Sequence, residues 1–303
     1  TRTYLSTDTS WSPYTQCSSG TPSTTTFPLA GSTAYWSCSV YQDLADNQEY
    51  DPATNTWATK SSMDTARRGF GTAVVNGKIY IMGGVAGAST KINTIEEYDP
   101  ATDTWTNKGT MPQNMWAFST AVVNNKIYVM GGNSDTVGPD GNTILNTNYE
   151  YDPATNTWTA KAAMPEDSYG HSAAVYNNVI YIAGGFNMTS TYLTRTIQYT
   201  PSTNTWISRA ALPYRVSNNA MFAVGTKIYS VGGYSDVGGT WQDITNVQEF
   251  NPAVNAWTAK APMSVGRSGL FGSVINNKIY VTGGTYGNFS TEEYDPVTNT
   301  WTT

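Results

Sequence analysis

The chain has 303 residues, enough for one large domain or two ordinary ones, and its 16 Lys and Arg against 22 Asp and Glu give a net charge of −6. This acidic balance without a basic cluster argues against nucleic acid as a partner, and since no apolar run approaches 18 residues, no membrane-spanning helix is predicted. Aromatic residues are as frequent as charged ones, at 13% each, and Thr, Asn and Gly abound, which favours many strands and tight turns over helical bundles.

The chain opens with a polar, Thr- and Ser-rich stretch that we predict to be an arm, residues 1–32, in front of a domain that spans residues 33–303. The first residue is Thr1 and no apolar segment follows it, so we do not expect an intact signal peptide. Cys17 and Cys38 favour one disulfide formed in an oxidising compartment, with two unrelated thiols as the alternative. We therefore expect a secreted or cell-surface protein.

A repeated motif dominates the rest of the sequence and determines the architecture that we predict. The segment YDPATNTW starts at Tyr50 and returns five more times in close variants, so that its tryptophans lie 44 to 53 residues apart, at Trp57, Trp105, Trp158, Trp206, Trp257 and Trp301. Between successive tryptophans lies a Gly-Gly doublet, at positions 83–84, 131–132, 184–185, 232–233 and 283–284. Repeated units of this kind cannot cover their own apolar faces and must stack on their neighbours.

Each period of the repeat predicts four short strands joined by tight turns. AVVNGKIYIMGG is typical of a hairpin, because Asn76-Gly77 tolerates the positive φ angles of a type I′ turn. The glycine doublet ends the second strand and permits close backbone approach, and a variable loop and a third strand such as IEEYDP follow. DPATNT forms a second tight turn before the fourth strand, which starts at the tryptophan. Four-stranded units of this length stacked around an axis form an all-β propeller.

The glycine doublet, the tyrosine and the tryptophan at these offsets resemble the kelch repeat, and the resemblance covers residues 46–303. It implies a kelch-type β-propeller with blades of four antiparallel strands, six blades from the six tryptophan copies, in which the repeated Tyr and Trp fill the spaces between blades. The first blade is degenerate because it lacks the glycine doublet. We predict that AYWSCSV at 34–40 supplies its second strand, and that its inner strand either comes from residues 1–30, with TTTFPLAG at 24–31 as a candidate, or is absent.

The residues that break the repeat are the candidates for function, because loops on a rigid scaffold carry binding sites. In kelch propellers, the loops between the second and third strands and the loops between blades commonly line one face. Here these loops combine arginines, which can clasp a carboxylate, with aromatic rings, which stack on sugar or peptide faces. We predict a ligand-binding face formed by Arg67, Arg68, Trp116, Tyr169, Arg215, Trp241, Arg267 and Tyr286, with Phe186, Tyr192 and Tyr234 on the longer loops. The arginines between blades resemble those by which kelch propellers grip acidic peptides, but Arg67 and Arg267 equally fit a fold-supporting role.

Catalytic and metal-binding chemistry is only weakly indicated. The single histidine, His171 in GHSAAV, occupies a place where kelch repeats often carry Gly-His-Ser, which favours a structural role. One histidine and bridged cysteines do not suit zinc, nor the copper of kelch copper oxidases, so we expect no metal and no cofactor. Asp64, Glu166 and Asp167 lie on loops between blades and are the candidates for acid–base chemistry on sugars, since some periplasmic kelch propellers act on sialic acid. The acidic loop 133–143 is a weaker candidate for calcium.

Together, these features predict a propeller that binds a glycan or an extracellular protein rather than an enzyme. Asn187-Met-Thr and Asn288-Phe-Ser match the glycosylation acceptor pattern, although such triplets often arise by chance in a chain rich in Thr and Asn. Two alternatives stay open. In one, the arm 1–32 adds a strand to a neighbouring copy and builds a homo-oligomer, filament or surface layer. In the other, the propeller is a sugar-modifying enzyme.

Overall fold

The computed structural model describes residues 3–5, 43–51, 54–87, 89–135, 143–189, 191–284 and 290–303. Within these ranges there is no helix, and all strands pair antiparallel. A three-stranded sheet is followed along the chain by five four-stranded sheets. The inner strands of consecutive four-stranded sheets contact each other, and the last of them contacts the first sheet, so the sheets are blades around one axis. The predicted all-β propeller is confirmed.

The strands of each blade run outward from the axis in chain order. The first blade contains Thr3–Leu5, Asn47–Asp51 and Thr56–Lys60, and the second contains Gly71–Val75, Lys78–Met82, Thr94–Asp99 and Thr104–Thr110. The third contains Ser119–Val123, Lys126–Met130, Asn148–Asp152 and Thr157–Ala160, and the fourth contains Ser172–Tyr176, Val179–Ala183, Thr196–Thr200 and Thr205–Arg209. The fifth contains Ala220–Val224, Lys227–Val231, Val247–Asn251 and Ala256–Lys260, and the sixth contains Phe271–Ile275, Lys278–Thr282, Glu292–Asp295 and Thr300–Thr302. Small hairpins follow three of the doublets, made of Val85–Ala86 with Thr90–Lys91, Asn133–Ser134 with Thr143–Ile144, and Tyr234–Val237 with Thr240–Asp243.

The first blade departs from the prediction at its second strand. That position is taken by Thr3–Leu5, which pairs antiparallel with Asn47–Asp51. Part of the predicted arm 1–32 therefore belongs to the propeller, and residues 34–40, to which the sequence assigned this strand, lie outside the described residues. The sequence pattern could not decide between the two segments because both are short and carry a tyrosine in a β-prone context. Among the described residues, no strand takes the inner position of this blade.

The glycine doublets bring successive blades into backbone contact. Gly184 has a φ of 76°, and a Cβ at this position would lie 2.6 Å from the carbonyl oxygen of Val216 in the next blade. Gly185 donates its N–H to that same carbonyl at 2.8 Å. Three other doublets make the equivalent contact with the carbonyls of Met115, Ser168 and Arg267. A side chain on the first glycine would push the blades apart.

The hydrophobic core lies between the blades. The repeated tyrosine of the third strand, or Phe250 in its place, is fully buried in each four-stranded blade. Each of these rings contacts the tryptophan of its own blade, with ring centroids between 4.7 and 5.0 Å apart. The Tyr and Trp of the repeat therefore fill the spaces between blades, as the resemblance to the kelch repeat implied.

The YDPATNTW motif also forms a reciprocal clamp between neighbouring blades. The indole Nε1 of Trp206 donates to the carbonyl of Ala162 in the preceding blade, and Oδ1 of Asn204 accepts the N–H of the same Ala162, both at 2.8 Å. Tyr199 donates its hydroxyl to this Oδ1 at 2.7 Å. Asn204 has a φ of 55°, which asparagine tolerates better than most residues. The same pair of bonds joins Trp105 and Asp103 to Ser61, Trp257 and Asn255 to Ala210, and Trp301 and Asn299 to Ala261.

A second series of hydrogen bonds links the blades at the axis. Each bond runs from a backbone N–H to the backbone carbonyl of the equivalent residue in the preceding blade. The N–H groups donate from Ala117 to Gly69 at 2.9 Å, from Gly170 to Ala117 at 2.8 Å, from Asn218 to Gly170 at 2.6 Å and from Gly269 to Asn218 at 2.8 Å. All five residues have φ between 52° and 63°, which explains why Gly and Asn predominate. We call these five residues the axial hydrogen-bond chain.

Replacing Asn204 by glycine keeps the positive φ but removes both hydrogen bonds to Oδ1. We expect the free energy of unfolding, measured by urea titration, to fall by about 1–3 kcal/mol. The matched control is Asn178→Gly, which removes an exposed asparagine with a φ of 59° from a hairpin turn and should change stability by less than about 0.5 kcal/mol. Equal losses in the two variants would contradict the clamp.

Candidate ligand-binding surface

Two sets of loops, which the sequence predicted to share one face, lie side by side in the structure. In four blades, the loop that leads into the blade forms an isolated antiparallel backbone bridge to the residue that follows the glycine doublet of that blade. These bridges join Arg68 to Val85, Trp116 to Asn133, Tyr169 to Phe186 and Ser217 to Tyr234. Because the backbone beneath is held by the doublets, side chains from both loops are presented together on what we call the loop face.

An aromatic cluster occupies the loop face over the fourth and fifth blades. Tyr192 stacks on Trp241 with ring centroids 4.0 Å apart, and Tyr234 lies nearly parallel to Trp241 at 6.0 Å. Phe186 meets Tyr192 edge-on at 4.9 Å, and Tyr169 meets Phe186 edge-on at 5.5 Å. Trp241 remains 38% exposed. We call these five rings the aromatic surface.

The hairpin after the fifth blade's doublet positions two of these rings. Its strands pair Tyr234 with Asp243 and Asp236 with Trp241, so that Tyr234 and Trp241 point to the same side of the hairpin. The turn between the strands is Gly238-Gly239, where both residues have positive φ. The hydroxyl of Ser235 donates to the carbonyl of Arg215 at 2.6 Å and fastens the hairpin to the loop between blades.

Arg67 and Arg267 do not belong to the loop face, and the prediction that they contact a ligand is wrong. Both side chains are 0% exposed. Arg267 donates to Glu292 and to the carbonyl of Gly283, both at 2.9 Å, and Arg67 is paired with Glu96 in the same way. A buried guanidinium requires such partners, because an unpaired charge in the interior is strongly destabilising. The alternative that these arginines support the fold therefore holds.

The other predicted residues of the loop face stand at different distances from the aromatic surface. Trp116 adjoins it, with its ring 6.2 Å from Tyr169. Arg215 is exposed, and its backbone holds the hairpin of Trp241. Arg68 lies at the axis, where it is ion-paired with Asp43 and lines an open pocket together with Phe70, Phe118, His171 and Leu270.

Several predicted positions lie outside the described residues and stay predictions. These are Tyr286 of the ligand-binding face, Asn288 of the glycosylation pattern and the cysteine pair, Cys17 and Cys38. Asn187, the other glycosylation candidate, is half-buried in a turn where its Oδ1 accepts the N–H of Thr191 at 3.1 Å. Glycosylation there also stays a prediction.

The candidate acids occupy separate surroundings. Glu166 is exposed and forms an ion pair with Arg195 at 3.5 Å, while Asp167 accepts the N–H of Met188 at 3.0 Å. Asp64 lies on the loop before the second blade, where its N–H donates to Glu96 at 2.8 Å. Only Glu166 thus offers an exposed carboxylate close in sequence to Tyr169 of the aromatic surface.

The described ranges show neither a metal-binding cluster nor a membrane-spanning helix. No group of three or more His, Cys, Asp or Glu that could hold a metal ion occurs in them. In the candidate calcium loop 133–143, Asp135 is ion-paired with Lys91 at 2.7 Å, and 136–142 lie outside the described residues. No helix of the described chain is long and apolar enough to cross a membrane.

His171 is buried and serves the fold. Its Nε2 lies 3.1 Å from the carbonyl of Met130, so this nitrogen carries the proton, and its Nδ1 accepts from the hydroxyl of Ser168 at 2.8 Å. Burial, reinforced by the charge of Arg195, lowers the pKa of His171 to about 3 and keeps the ring neutral at neutral pH. Because Ser168 is fully buried, the pair is not a nucleophile within reach of a substrate.

The buried His171 should make stability depend on pH. Its pKa is about 3 in the folded chain and about 6.5 in the unfolded chain, so the unfolded state takes up the proton first as the pH falls. The stabilisation present above pH about 6.5 is then lost progressively, by about 2 kcal/mol down to pH 5. Urea unfolding at several pH values measures this loss. The variant His171→Gln keeps a donor and an acceptor and should flatten the profile in this range, whereas an unchanged slope would assign the effect to other groups.

The sequence and the fold are similar to those of known proteins. A family model described as “KLHDC2/KLHL20/DRC7 Kelch-repeats domain” matches residues 118–303, and one described as “Attractin/LZTR1 beta-propeller” matches residues 35–191. Each match covers more than half of the chain.

Individual relatives match over shorter stretches of their own length. Kelch-like protein 36 of Mus musculus is 28% identical over 177 residues, which are 54% of this chain and 28% of that protein. Kelch-like protein 24 of Rattus norvegicus is 49% identical over 136 residues, which are 45% of this chain and 22% of that protein. The matched region thus spans about a quarter of the length of these relatives. A solved structure described as “Structure of YjhT” superposes with a TM-score of 0.75 at 16% identity, covering 85% of this chain and 90% of that chain, a likeness of fold alone.

Proposed function

Because the chain belongs to the kelch-repeat propeller family, we propose that it is a non-catalytic binding module whose ligand docks on the aromatic surface. The observation that carries this proposal is the stack of Tyr192 on Trp241, which leaves the tryptophan 38% exposed on the loop face. The repeat does not require rings there, since Val85 and Asn133 occupy the position of Phe186 and Tyr234 in the second and third blades. Contiguous exposed rings with no repeated structural role are typical of a binding site.

The chemistry of the aromatic surface suits a glycan or a protein segment. Flat ring faces contact the apolar faces of sugar rings or of extended peptides, and the exposed Arg215 beside the hairpin offers two parallel bonds to a carboxylate. We place the protein outside the cell, as a secreted or surface-bound binder, because of its Thr- and Ser-rich composition and the predicted Cys17–Cys38 disulfide.

A glycan array and a peptide array probed with the purified protein test the proposal. The substitution Trp241→Ala should weaken binding to any hit at least tenfold, because it removes the most exposed ring of the aromatic surface. The matched control is Trp57→Ala, which removes a tryptophan of nearly equal exposure, 39% against 38%, from the outer strand of the first blade. Circular dichroism confirms that both variants are folded. Equal binding by the two variants would place the ligand elsewhere.

Two alternatives are separated by direct measurements. A sugar-modifying enzyme is favoured by the exposed Glu166 near Tyr169, and it requires turnover of a sugar that is lost in Glu166→Gln. A homo-oligomer or filament assembled through residues 1–32 requires a mass above the monomer in light scattering.

A further inference from the structure

Cations and carboxylates are unevenly paired on the loop face. Four arginines in its loops already hold carboxylates of the chain itself, in the ion pairs Arg67–Glu96, Arg267–Glu292, Arg68–Asp43 and Arg195–Glu166. Of the loop arginines that the structure describes, only Arg215 is exposed. The positive charge of these loops is therefore largely neutralised from within the chain.

Asp236 is an exposed carboxylate beside the most exposed ring of the aromatic surface. It is paired with Trp241 across the hairpin of the fifth blade, so that the two side chains point to the same side. Directly opposed residues of an antiparallel pair have Cβ atoms about 5 Å apart. Within the described ranges no Lys or Arg forms an ion pair with Asp236, and the one Lys or Arg outside them, Arg2, precedes Thr3 of the first blade.

The loop that carries Arg215 runs along the other side of this hairpin. Neighbouring residues of a strand point to opposite sides, so Ser235 points away from the side of Asp236 and Trp241. The hydroxyl of Ser235 donates to the carbonyl of Arg215 at 2.6 Å, which places the backbone of Arg215 on that opposite side. On the side of the rings, the hairpin carries the carboxylates of Asp236 and Asp243 and no cation.

A second pair of carboxylates lies at the other end of the aromatic surface. Glu166 and Asp167 shortly precede Tyr169, and both interact electrostatically with the guanidinium of Arg195. Arg195 is anchored to the fold, because it also donates to the hydroxyl of Ser168 and, at 3.1 Å, to the carbonyl of Glu166. One guanidinium balances only one of the two carboxylates, and Glu166 remains 58% exposed. The aromatic surface thus lies between two acidic groups.

The arrangement of the rings suits a peptide better than a sugar. One face of Tyr192 is covered by Trp241 at 4.0 Å, and Phe186 meets Tyr169 and Tyr192 edge-on, at interplanar angles of 68° and 75°. Rings inclined in this way form a stepped surface, whereas a sugar ring stacks on a flat and open ring face. The side chains of an extended peptide can lie between the steps.

We propose that the ligand of the aromatic surface is a basic, extended segment of a partner protein, an inference that rests on the function proposed above. A Lys or Arg of this segment lies against the ring of Trp241 and forms an ion pair with Asp236. Aromatic faces attract cations, and tryptophan does so most strongly. A second basic residue pairs with Glu166, and apolar side chains between the two contact the rings. The net charge of −6 attracts such a segment before contact.

Selection of a phage-displayed library of random peptides on the whole chain tests the proposal. We expect the selected peptides to be enriched in Lys and Arg relative to the library. A selected peptide labelled with fluorescein is then titrated with variants in fluorescence polarisation. Asp236→Asn should weaken its binding about fivefold, because the ion pair is lost. The matched control is Asp64→Asn, which removes the same charge from an exposed position on the loop before the second blade and should leave binding unchanged.

A charge exchange gives an independent measurement. Asp236→Lys should bind a peptide with Glu in place of the basic residue more tightly than the parent chain does. Selected peptides enriched in Asp or Glu, equal losses in Asp236→Asn and Asp64→Asn, or no selected peptide at all would each overturn the proposal. A glycan ligand that requires Trp241 would also overturn it but would leave the proposed function intact. If no ligand of any kind requires Trp241, both are wrong.

Discussion

The structure depends on the hydrogen bonds by which the repeated motif of one blade holds a backbone residue of the preceding blade. The clamp engages the peptide at Ala162 from both directions, because Asn204 accepts its N–H and Trp206 donates to its carbonyl. Hydrogen bonds are directional, so two of them on one residue fix the register as well as the distance between blades. The same eight-residue motif also makes the turn, where Asn204 has positive φ, and fills the core, where Tyr199 packs against Trp206. Each blade is thereby held by its neighbour rather than by its own core.

This scaffold explains how the loop face can carry an aromatic surface. Stacking Tyr192 on Trp241 joins loops of two different blades, and rings 4.0 Å apart tolerate little movement of the backbone below. The buried ion pairs Arg67–Glu96 and Arg267–Glu292 brace the loops of the second and sixth blades from inside. The loops of the loop face are therefore supported by charged groups that do not reach its surface.

The parts of the fold that could be predicted are those in which each residue acts on its near neighbours. Asn76-Gly77 adopts the positive φ angles that its turn type demands, and the doublet Gly184-Gly185 permits the close backbone approach expected of paired glycines. The repeated Tyr and Trp follow the same logic, because their repetition shows that they serve every interface alike. Trp241 and Tyr192 could be selected from the sequence as candidates for ligand binding because they do not recur in the repeat and so serve no interface common to all blades.

Sequence by itself thus determined the strands, the turns and the stacking of near-identical blades. The strands and turns follow from local backbone preferences, and the stacking follows because the same unit, which cannot cover its own apolar faces, is repeated along the chain. Only the tertiary structure decided which charged loop residues are buried. The burial of Arg67 depends on its partner Glu96, which lies 29 residues further along the chain, and not on the sequence of its own loop. Only the tertiary structure decided that Thr3–Leu5 pairs with Asn47–Asp51, because the two segments are far apart in the sequence and the pattern of neither segment specifies its partner. The rings of the aromatic surface became one surface for the same reason: contact between Tyr192 and Trp241 is set by the angle between blades, which no local motif encodes.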